Sequence, residues 1–335
     1  MVKADAYGLG MAEAAPALAR AGCKTFFVAT LAEAIALRAL LPRVTIYVFV
    51  GLMPGTGGIY RTHDLQPVLN SAVEIREWAG FCSSEGEKLP CAVHLDSGMN
   101  RLGLSADEVD QVVAANDLWL ELTLSLVMSH LACADEPEHP KSEAQRKAFD
   151  RLRAKLPQAL ASLANSAGIL LGRDFAYDLV RPGIALYGGH PRRQGNNPFA
   201  DVVHLEGRIL QVRDIAAGET IGYGATRTLD RAARVAIVSV GYADGFFRAL
   251  STKDGEEGFV AYAGPHPAPI LGRVSMDLIA IDVSHVPEVV SSRGAWVELI
   301  GPNVPAHAMA RYAGTIDYEI LTNLGRRALR RYIGG

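Results

Sequence analysis

The residue whose surroundings point most directly to chemistry is a lysine near the start of the chain. Lys3 follows a short apolar stub, and Tyr7, Gly8 and Gly10 come soon after it. Partial removal of an ammonium group from water lowers its pKa toward the range in which the neutral amine can attack a carbonyl. An aldehyde cofactor such as pyridoxal phosphate needs an anchoring lysine of this kind. The alternative is a solvated surface lysine, and partners elsewhere in the chain must decide between the two.

Other polar residues with chemical potential stand where apolar, strand-like runs end. In chain order they are His94, Asp96, the segment 98–101 that ends in Arg101, Ser129, His130, the segment 165–168 (NSAG) and the segment 181–183 (RPG). Each also has a structural explanation: a hydrogen-bonded core histidine for His130, a salt bridge at the rim for Arg101. In a closed β/α barrel, however, the loops after the strands lie together and carry the chemistry.

A phosphate group is one ligand that these loops suggest. Barrels often bind phosphate between the loops after the seventh and eighth strands, through backbone N–H groups and a hydroxyl. Ser166 and the amides of Gly183 and Ile184 suit that role, although the segment 165–168 alone is equally typical of a plain turn.

The elements that must position these residues alternate between strands and helices. Predicted strands cover residues 2–3, 25–29, 44–50, 65–70, 92–96, 122–129, 161–164 and 179–186. Predicted helices cover residues 11–21, 31–41, 72–81, 106–115 and part of 143–163. This alternation is typical of parallel β/α units, and eight strands predict an α/β fold, a (β/α)8 barrel of the TIM type over residues 1–190.

The second part of the chain has a different pattern. Residues 191–200 contain prolines, asparagines and a glycine and predict a linker. Within 201–335, strands are predicted at 202–214, 235–240, 258–263, 278–283 and 296–300, with no long helix before Met309. A mostly β C-terminal domain follows from this pattern.

Composition limits the classes of function. The chain has 335 residues, of which 49% are apolar, and its net charge is −3 with both signs interspersed. We therefore expect large cores and no nucleic-acid or membrane partner. The four scattered cysteines include no CxxC pair, so we expect no metal site, no disulfide framework and a reducing, cytoplasmic location. No signal peptide is visible, and Glu121 and His130 interrupt the most apolar stretch, so it cannot span a bilayer.

Nine runs of residues together resemble the alanine racemase family of pyridoxal-phosphate enzymes. They are VKADAYG (2–8), SGMNRLG (97–103), SH (129–130), ANSA (164–167), VRPGIALYG (180–188), IGYG (221–224), VGYADG (240–245), GRVSMD (272–277) and TIDYE (315–319). Each is short, but they occur in the family's order over essentially the whole chain. The resemblance implies a pyridoxal 5'-phosphate cofactor, interconversion of L-alanine and D-alanine, a part in D-alanine supply for peptidoglycan precursors, and a head-to-tail homodimer with shared active sites.

The resemblance also implies a role for each matching residue. The implied catalytic residues are Lys3, which is the Schiff-base lysine and the base for D-alanine, Tyr223 of the second subunit, which is the base for L-alanine, His130 and Arg181. The implied cofactor site comprises Lys3, Tyr7, Asn165, Ser166, Arg181, Gly183, Ile184 and Tyr318. The implied substrate contacts are Arg101 and the Met276 amide of the second subunit, and the implied gate of the access channel comprises Tyr242, Tyr318, Asp135, Arg248 and Arg273.

Racemisation explains why these residue types are needed. Inversion of a stereocentre requires one base on each face of the substrate. A phenol, with a reference pKa near 10, must be assisted by positive charge or donated hydrogen bonds, and His130 and Arg181 suit that task. An arginine at the pyridine nitrogen keeps that nitrogen unprotonated, so the ring is a weaker electron sink and transamination is disfavoured.

The chain departs from the family in two places. Many members carry a lysine, often carbamylated, seven residues before the carboxylate-binding arginine, and this chain has His94 there. His94 itself or a bound anion is then expected to orient Arg101. The family also places about thirty residues before the lysine, so the chain resembles a shortened member, and we expect low stability or weak activity from it.

Three other functions remain open at this point. A broad-specificity amino-acid racemase differs only in the geometry of the gate, where Tyr242, Tyr318 and Met276 favour a small pocket. A decarboxylase on the same barrel is expected to place a glutamate at the pyridine nitrogen, and none is visible. A carrier of pyridoxal phosphate without catalysis is expected to lack the β domain.

Overall fold

The computed structural model describes residues 1–192 and 194–334. The chain forms two compact units, one chiefly of Met1–Ala185 and the other chiefly of Pro198–Ile333. Among the described residues, no helix has the length and apolar character needed to cross a membrane.

The first unit is built on six parallel strands that lie side by side in chain order. They are β1 (Thr25–Val28), β2 (Thr45–Val48), β3 (Gln66–Leu69), β4 (Pro90–His94), β5 (Thr123–Met128) and β6 (Leu160–Ser162). Most of their residues are buried, as expected of parallel strands that are covered on both faces. Phe27, Tyr47, Val68 and Leu126 come from neighbouring strands and pack into one apolar cluster. The predicted fold class, a parallel β/α barrel, is confirmed.

The first and eighth predicted strands, residues 2–3 and 179–186, do not form strands in the structure, so these two predictions are wrong. In the first position, the Val2 N–H donates to the Phe27 carbonyl of β1 at 3.1 Å, and the chain then turns at Lys3. In the eighth, Arg181 forms a single bridge with Asn165, and Pro182 follows at once, which cannot donate to a ladder. The terminal ammonium of Met1 donates to the Pro182 carbonyl at 3.1 Å, so these two segments are neighbours.

Helices connect the strands, and polar side chains fix where several of them begin. The helical segments of this unit are α1 (Lys3–Tyr7), α2 (Met11–Arg20), α3 (Leu31–Leu40), α4 (Gly57–Thr62), α5 (Ala72–Glu85), α6 (Ala106–Ala114), α7 (Leu118–Glu121), α8 (Pro140–Arg153), α9 (Ser166–Ile169) and α10 (Arg173–Ala176). The hydroxyls of Thr30, Ser71 and Ser105 accept the backbone N–H three residues later, which satisfies donors that have no partner inside the helix.

The second unit is a closed antiparallel barrel. Its strands are β7 (Leu205–Ile215), β10 (Ala233–Val238), β11 (Val260–Ala263), β12 (His266–Leu271), β13 (Ile279–Asp282) and β14 (Trp296–Ile300), in the order β10-β13-β12-β11-β14-β7. A two-stranded ribbon, β8 (Thr220–Ile221) and β9 (Arg227–Thr228), and the helices α11 (Glu288–Ser291), α12 (Ala306–Ala313) and α13 (Asp317–Thr322) complete it. Closure leaves no exposed barrel edge, and the predicted mostly β domain is confirmed. Strand β12 was not predicted, because Pro267 and Pro269 interrupt its pattern.

Candidate active site

Lys3 begins a backbone turn of unusual handedness. The four residues after it, Ala4 to Tyr7, have φ angles between 53° and 56°. The left-handed conformation costs a residue with a side chain about 1–2 kcal/mol, and such residues cluster at functional sites. The Gly8 N–H donates to the Ala4 carbonyl at 2.7 Å, and the Asp5 carboxylate accepts the Met11 N–H at 2.8 Å. The surrounding structure therefore holds Lys3 in a defined place.

The amine of Lys3 is electrostatically perturbed in the predicted direction. Its pKa lies below the ordinary value, mainly because the side chain is partly buried and also because the positive charge of Arg101 is close. The carboxylate of Glu33 acts in the opposite direction and raises the pKa of Lys3. A larger share of the amine is consequently neutral, and so nucleophilic, than for a solvated lysine.

Arg181 is buried with one donor left over. It is 2% exposed and donates to the Ser162 hydroxyl, the Ser129 carbonyl at 2.5 Å and the Leu163 carbonyl at 3.2 Å. Its Nε has no hydrogen-bond partner among the described residues. Burial lowers the pKa of Arg181 to about 9, so the guanidinium stays charged at neutral pH. A buried donor without a partner is costly, and an acceptor nitrogen of a bound ligand would satisfy it.

His130 lies next to this guanidinium. Its Nδ1 is 3.5 Å from Nη2 of Arg181, and its Nε2 is 3.5 Å from Nδ2 of Asn165. Burial, followed by the positive charges of Arg181 and Arg101, places the pKa of His130 well below its ordinary value. The imidazole is therefore neutral and belongs to the same polar cluster as Lys3, whose charge also lowers its pKa.

The residues predicted to hold phosphate meet at one point of this unit. The Ser166 hydroxyl oxygen accepts the N–H groups of Gly183 at 2.8 Å and Ala185 at 3.3 Å, so its own hydrogen remains available to a ligand. A Cβ at Gly183 would overlap the Tyr7 hydroxyl, so only glycine lets Tyr7 come this close. Ile184, whose amide was also predicted to bind phosphate, is fully buried. The Gly183 amide, which was predicted to bind phosphate as well, donates to the Ser166 hydroxyl in this structure.

A carboxylate organises the loop that carries Arg101. Oδ1 of Asp96 accepts the backbone N–H groups of three successive residues, Gly98 at 2.8 Å, Met99 at 2.9 Å and Asn100 at 3.1 Å. Asn100 has a φ of 56°, so this loop, like the turn after Lys3, includes a non-glycine residue of left-handed conformation. Arg101 lies at the end of this loop, exposed, and its charge lowers the pKa of the nearby Lys3 and of His130.

His94, the position at which the chain departs from the family pattern, is held by an asparagine. Nδ1 of His94 lies 2.8 Å from Oδ1 of Asn70. The Asn70 amide group donates to the carbonyls of Phe49 at 3.1 Å and Val68 at 2.8 Å, which fixes its oxygen toward the imidazole. His94 therefore carries its hydrogen on Nδ1 and keeps Nε2 as an acceptor. Burial and the charges of Arg181 and Arg101 lower its pKa to about 4, so it is neutral at physiological pH.

The remaining predicted residues lie in the second unit, except Asp135, which lies in the first. Tyr223 is 72% exposed and stands between Gly222 and Gly224, whose φ angles are 71° and 75°. A Cβ at Gly224 would come within 3.0 Å of the Arg273 guanidinium.

The segment 272–276 also contacts a second turn of this unit. The Tyr242 N–H donates to the Ser275 carbonyl, and the Ala243 N–H donates to the Met276 carbonyl, each at 3.0 Å. The structure thus brings Tyr223, Arg273, Tyr242 and Met276 onto adjoining loops. Arg248 begins a short turn further along, and Tyr318 lies half-buried in α13.

Several residues that shape the site were not predicted from the sequence. Asn70 orients His94, and the Ser162 hydroxyl accepts from Arg181. Gln145 is fully buried, donates to the His130 carbonyl at 2.9 Å and accepts the Ala132 N–H at 2.8 Å. Glu33 accepts three backbone N–H groups around Lys3. Only Glu33 had a sequence signal, the capping pattern Thr-x-x-Glu at residues 30–33.

Comparison with known proteins agrees with this geometry. The family model for the alanine racemase N-terminal domain matches residues 1–191, and the model for the C-terminal domain matches residues 202–332. The chain belongs to the alanine racemase family.

Named relatives match along nearly the whole chain. Alanine racemase from Methylobacterium sp. (strain 4-46) is 49% identical over 99% of this chain and 90% of its own length. Alanine racemase from Rhodospirillum rubrum is 46% identical over 100% of this chain and 88% of its own length. The crystal structure of the Bartonella henselae family member, with covalently bound pyridoxal phosphate, aligns with a TM-score of 0.94 at 40% identity over 99% of this chain and 91% of that one.

Proposed function

We propose that the protein is a pyridoxal-phosphate-dependent racemase that interconverts L-alanine and D-alanine. The observation that carries the proposal is the arrangement of Lys3 and Arg181 within a chain that matches the family from end to end. A partly buried amine with a lowered pKa and a buried guanidinium, whose Nε has no partner in the described part of the chain, belong to the same cluster. Together they suit an aldehyde that also carries a ring nitrogen.

The residues of the first unit fit the cofactor. Lys3 would hold the aldehyde carbon, Nε of Arg181 would donate to the ring nitrogen, and Ser166 with Tyr7 would hold the phosphate close to Gly183. The cationic character of the cluster suits a dianionic phosphate. When bound, pyridoxal phosphate withdraws electrons from the Cα–H bond of an attached amino acid. We assign Asn165 and Ile184 to the same site, as the family pattern implies. That pattern also implies Tyr318, which lies in the second unit, as a cofactor contact.

Two bases remove and return the proton on opposite faces of the substrate. Lys3 takes the α-hydrogen of D-alanine, and Tyr223 of a second copy of the chain takes that of L-alanine. The 72% exposure of Tyr223 in this chain leaves its phenol accessible to another copy, which supports a homodimer with shared sites. Arg181 supplies positive charge, and the neutral His130 ring a hydrogen-bond donor, near the phenol, which lowers the cost of its ionised form.

The substrate carboxylate is bound by Arg101 and by the Met276 amide of the second copy. A guanidinium pairs with a carboxylate through two parallel hydrogen bonds, which orients the substrate as well as attracting it. His94 stands where many family members carry a lysine that is often carbamylated, and it is neutral, so it adds no negative charge that would compete with the substrate carboxylate for Arg101. Tyr242, Asp135, Arg248 and Arg273 are assigned to the access channel.

Two rival functions are separated from this proposal by particular residues. A decarboxylase is expected to pair the ring nitrogen with a glutamate, whereas Arg181 occupies that place. A broad-specificity racemase shares every residue named above except those of the gate, so it is distinguished by rates with larger amino acids. The four free cysteines are compatible with the proposed cytoplasmic location.

The proposal is tested by measuring D-alanine formed from L-alanine by the purified protein loaded with pyridoxal phosphate. Lys3→Ala and Tyr223→Phe are the decisive variants, and we expect both to lose racemisation while remaining folded. Activity that persists in Lys3→Ala contradicts the proposal. Serine and lysine as substrates establish whether the gate restricts the reaction to alanine.

A further inference from the structure

Three glutamates of the first unit share one structural role. Glu33, Glu74 and Glu108 are each the third residue of a helix, and each accepts the backbone N–H of a residue just before its own helix: Ala29 at 2.7 Å, Asn70 at 3.1 Å and Ser105 at 3.0 Å. Each also accepts an N–H from the preceding β/α unit: Ala4 at 2.7 Å, Leu52 at 3.1 Å and Ala72 at 3.1 Å. The capping glutamates therefore tie neighbouring loops together.

Glu33 differs from the other two in what it holds. Its Oε1 accepts the Ala4 N–H, and Ala4 is both the residue after Lys3 and the first residue of the left-handed turn. Its Oε2 accepts the N–H groups of Ala29 at 2.7 Å and Thr30 at 3.2 Å, directly after β1. The two oxygens thus connect the turn that carries Lys3 to the first well-formed strand of the barrel.

Glu33 also supplies negative charge beside Lys3, in a cluster whose other charged groups include Arg101, Arg181 and Asp96. The charge of Arg101 opposes protonation of Lys3, and Lys3 in turn opposes protonation of His130 and of the Met1 ammonium. The Glu33 carboxylate is the group that favours the protonated form of Lys3. One side chain thus fixes the backbone beside Lys3 and balances its charge.

We propose that Glu33 is a positioning residue for Lys3: its two oxygens fix the backbone turn that carries this amine, and they place a carboxylate beside it. The inference rests on the proposed function, in which Lys3 takes the α-hydrogen of D-alanine. It concerns one of two bases, so its loss affects the two directions of proton removal differently. A general loosening of the barrel does not produce that asymmetry.

The Glu33→Gln variant separates the two roles of the carboxylate. A glutamine can keep its oxygen on Ala29 and Thr30, but its NH2 group then meets the Ala4 N–H, donor against donor. We expect turnover from D-alanine to fall at least about tenfold, which equals ~1.4 kcal/mol. The α-deuterium isotope effect on turnover should rise with D-alanine, whose hydrogen Lys3 removes, and should not rise with L-alanine.

A spectroscopic measurement gives a second readout that does not depend on turnover. The visible absorbance of the holoenzyme follows the proton on the Lys3 nitrogen, and its pH midpoint should move to lower pH in Glu33→Gln because a negative charge has been removed. Glu108→Gln is the matched control, since it loses the same type of capping contact away from Lys3. We expect its absorbance midpoint and the ratio of its two isotope effects to equal those of the unmodified protein.

The Glu33→Asp variant tests the same idea with the charge kept. The shorter side chain cannot reach both Ala4 and Ala29, so turnover from D-alanine should fall while the absorbance midpoint stays close to that of the unmodified protein. If Glu33→Gln does not fold, an Asp variant identical to the unmodified protein in turnover and isotope effects overturns the inference.

The outcomes separate failure of the inference from failure of the proposed function. If the unmodified holoenzyme does not racemise alanine, the proposed function fails and the inference falls with it. If it racemises alanine and Glu33→Gln behaves like Glu108→Gln in midpoint and in isotope effects, the inference alone is overturned.

Discussion

The loop that presents Arg101 depends on one carboxylate, so Asp96→Ala should weaken substrate binding specifically. The change removes the acceptor of three backbone N–H groups, those of Gly98, Met99 and Asn100. A hydrogen bond to a charged group contributes about 1.5–3 kcal/mol when it is buried. This loop is partly exposed, and water replaces the lost acceptor, so we expect ~2 kcal/mol for the three bonds together. That loss corresponds to about a 30-fold rise in KM for alanine.

The assay is initial-rate racemisation over a range of alanine concentrations, with Asp107→Ala as control. Asp107 lies in the exposed first turn of α6, and its removal should change stability only slightly and leave KM unchanged. The Asp96 carboxylate stabilises the loop and does not act on the groups that transfer protons. We therefore expect kcat of Asp96→Ala to fall by no more than about threefold, a smaller change than the rise in KM. An unchanged KM in Asp96→Ala, or an equal rise in Asp107→Ala, refutes the reasoning.

Three further predictions concern the residues around the cofactor. Arg181→Glu should increase the pyridoxamine phosphate formed per racemisation turnover, and an unchanged ratio contradicts the role assigned to Arg181. Gly183→Ala places a methyl group on the Tyr7 hydroxyl, so cofactor retention after dialysis should fall at least about tenfold, consistent with an overpacking cost of ~1–3 kcal/mol. Unchanged cofactor retention in Gly183→Ala contradicts overlap with Tyr7 as a constraint on this position. The pKa of His94 is lowered from 6.5 to about 4 in the folded state. The unfolded chain therefore takes up this proton first on acidification, and the folded state should lose up to about 3 kcal/mol from this group between pH 6.5 and pH 4. Thermal melts across this range should show a smaller pH dependence for His94→Gln, and an equal dependence shows that His94 does not contribute.

The sequence indicated several polar residues that lie close together in the structure. Lys3, His130 and Arg181 stand at the ends of apolar runs, and Arg101 lies in the loop that follows another such run. The parallel topology brings such positions together at one end of the sheet. In the structure the charge of Arg101 lowers the pKa of Lys3, and the charges of Arg181 and Arg101 lower the pKa of His130, as expected if these groups lie close together. The periodicity of apolar residues was enough to predict the order of the strands, because parallel strands that follow one another in the chain have few alternative arrangements in a sheet.

Other features depended on contacts that no local pattern reports. The left-handed turn of residues 4–7 contains no glycine, so propensity argues against it, and the hydrogen bonds around it stabilise it. The Asn70–His94 pair joins residues 24 positions apart. The predicted eighth strand contained Pro182, which ends the ladder after one bridge. In each case a distant partner or a missing N–H decided the outcome.

The most direct test of the account is to identify the residue that carries the cofactor. The protein is loaded with pyridoxal phosphate, reduced with borohydride, digested and sequenced by mass spectrometry. The account predicts a phosphopyridoxyl group on Lys3 and no label in Lys3→Ala. A label on another lysine, or none at all in the unmodified protein, contradicts it.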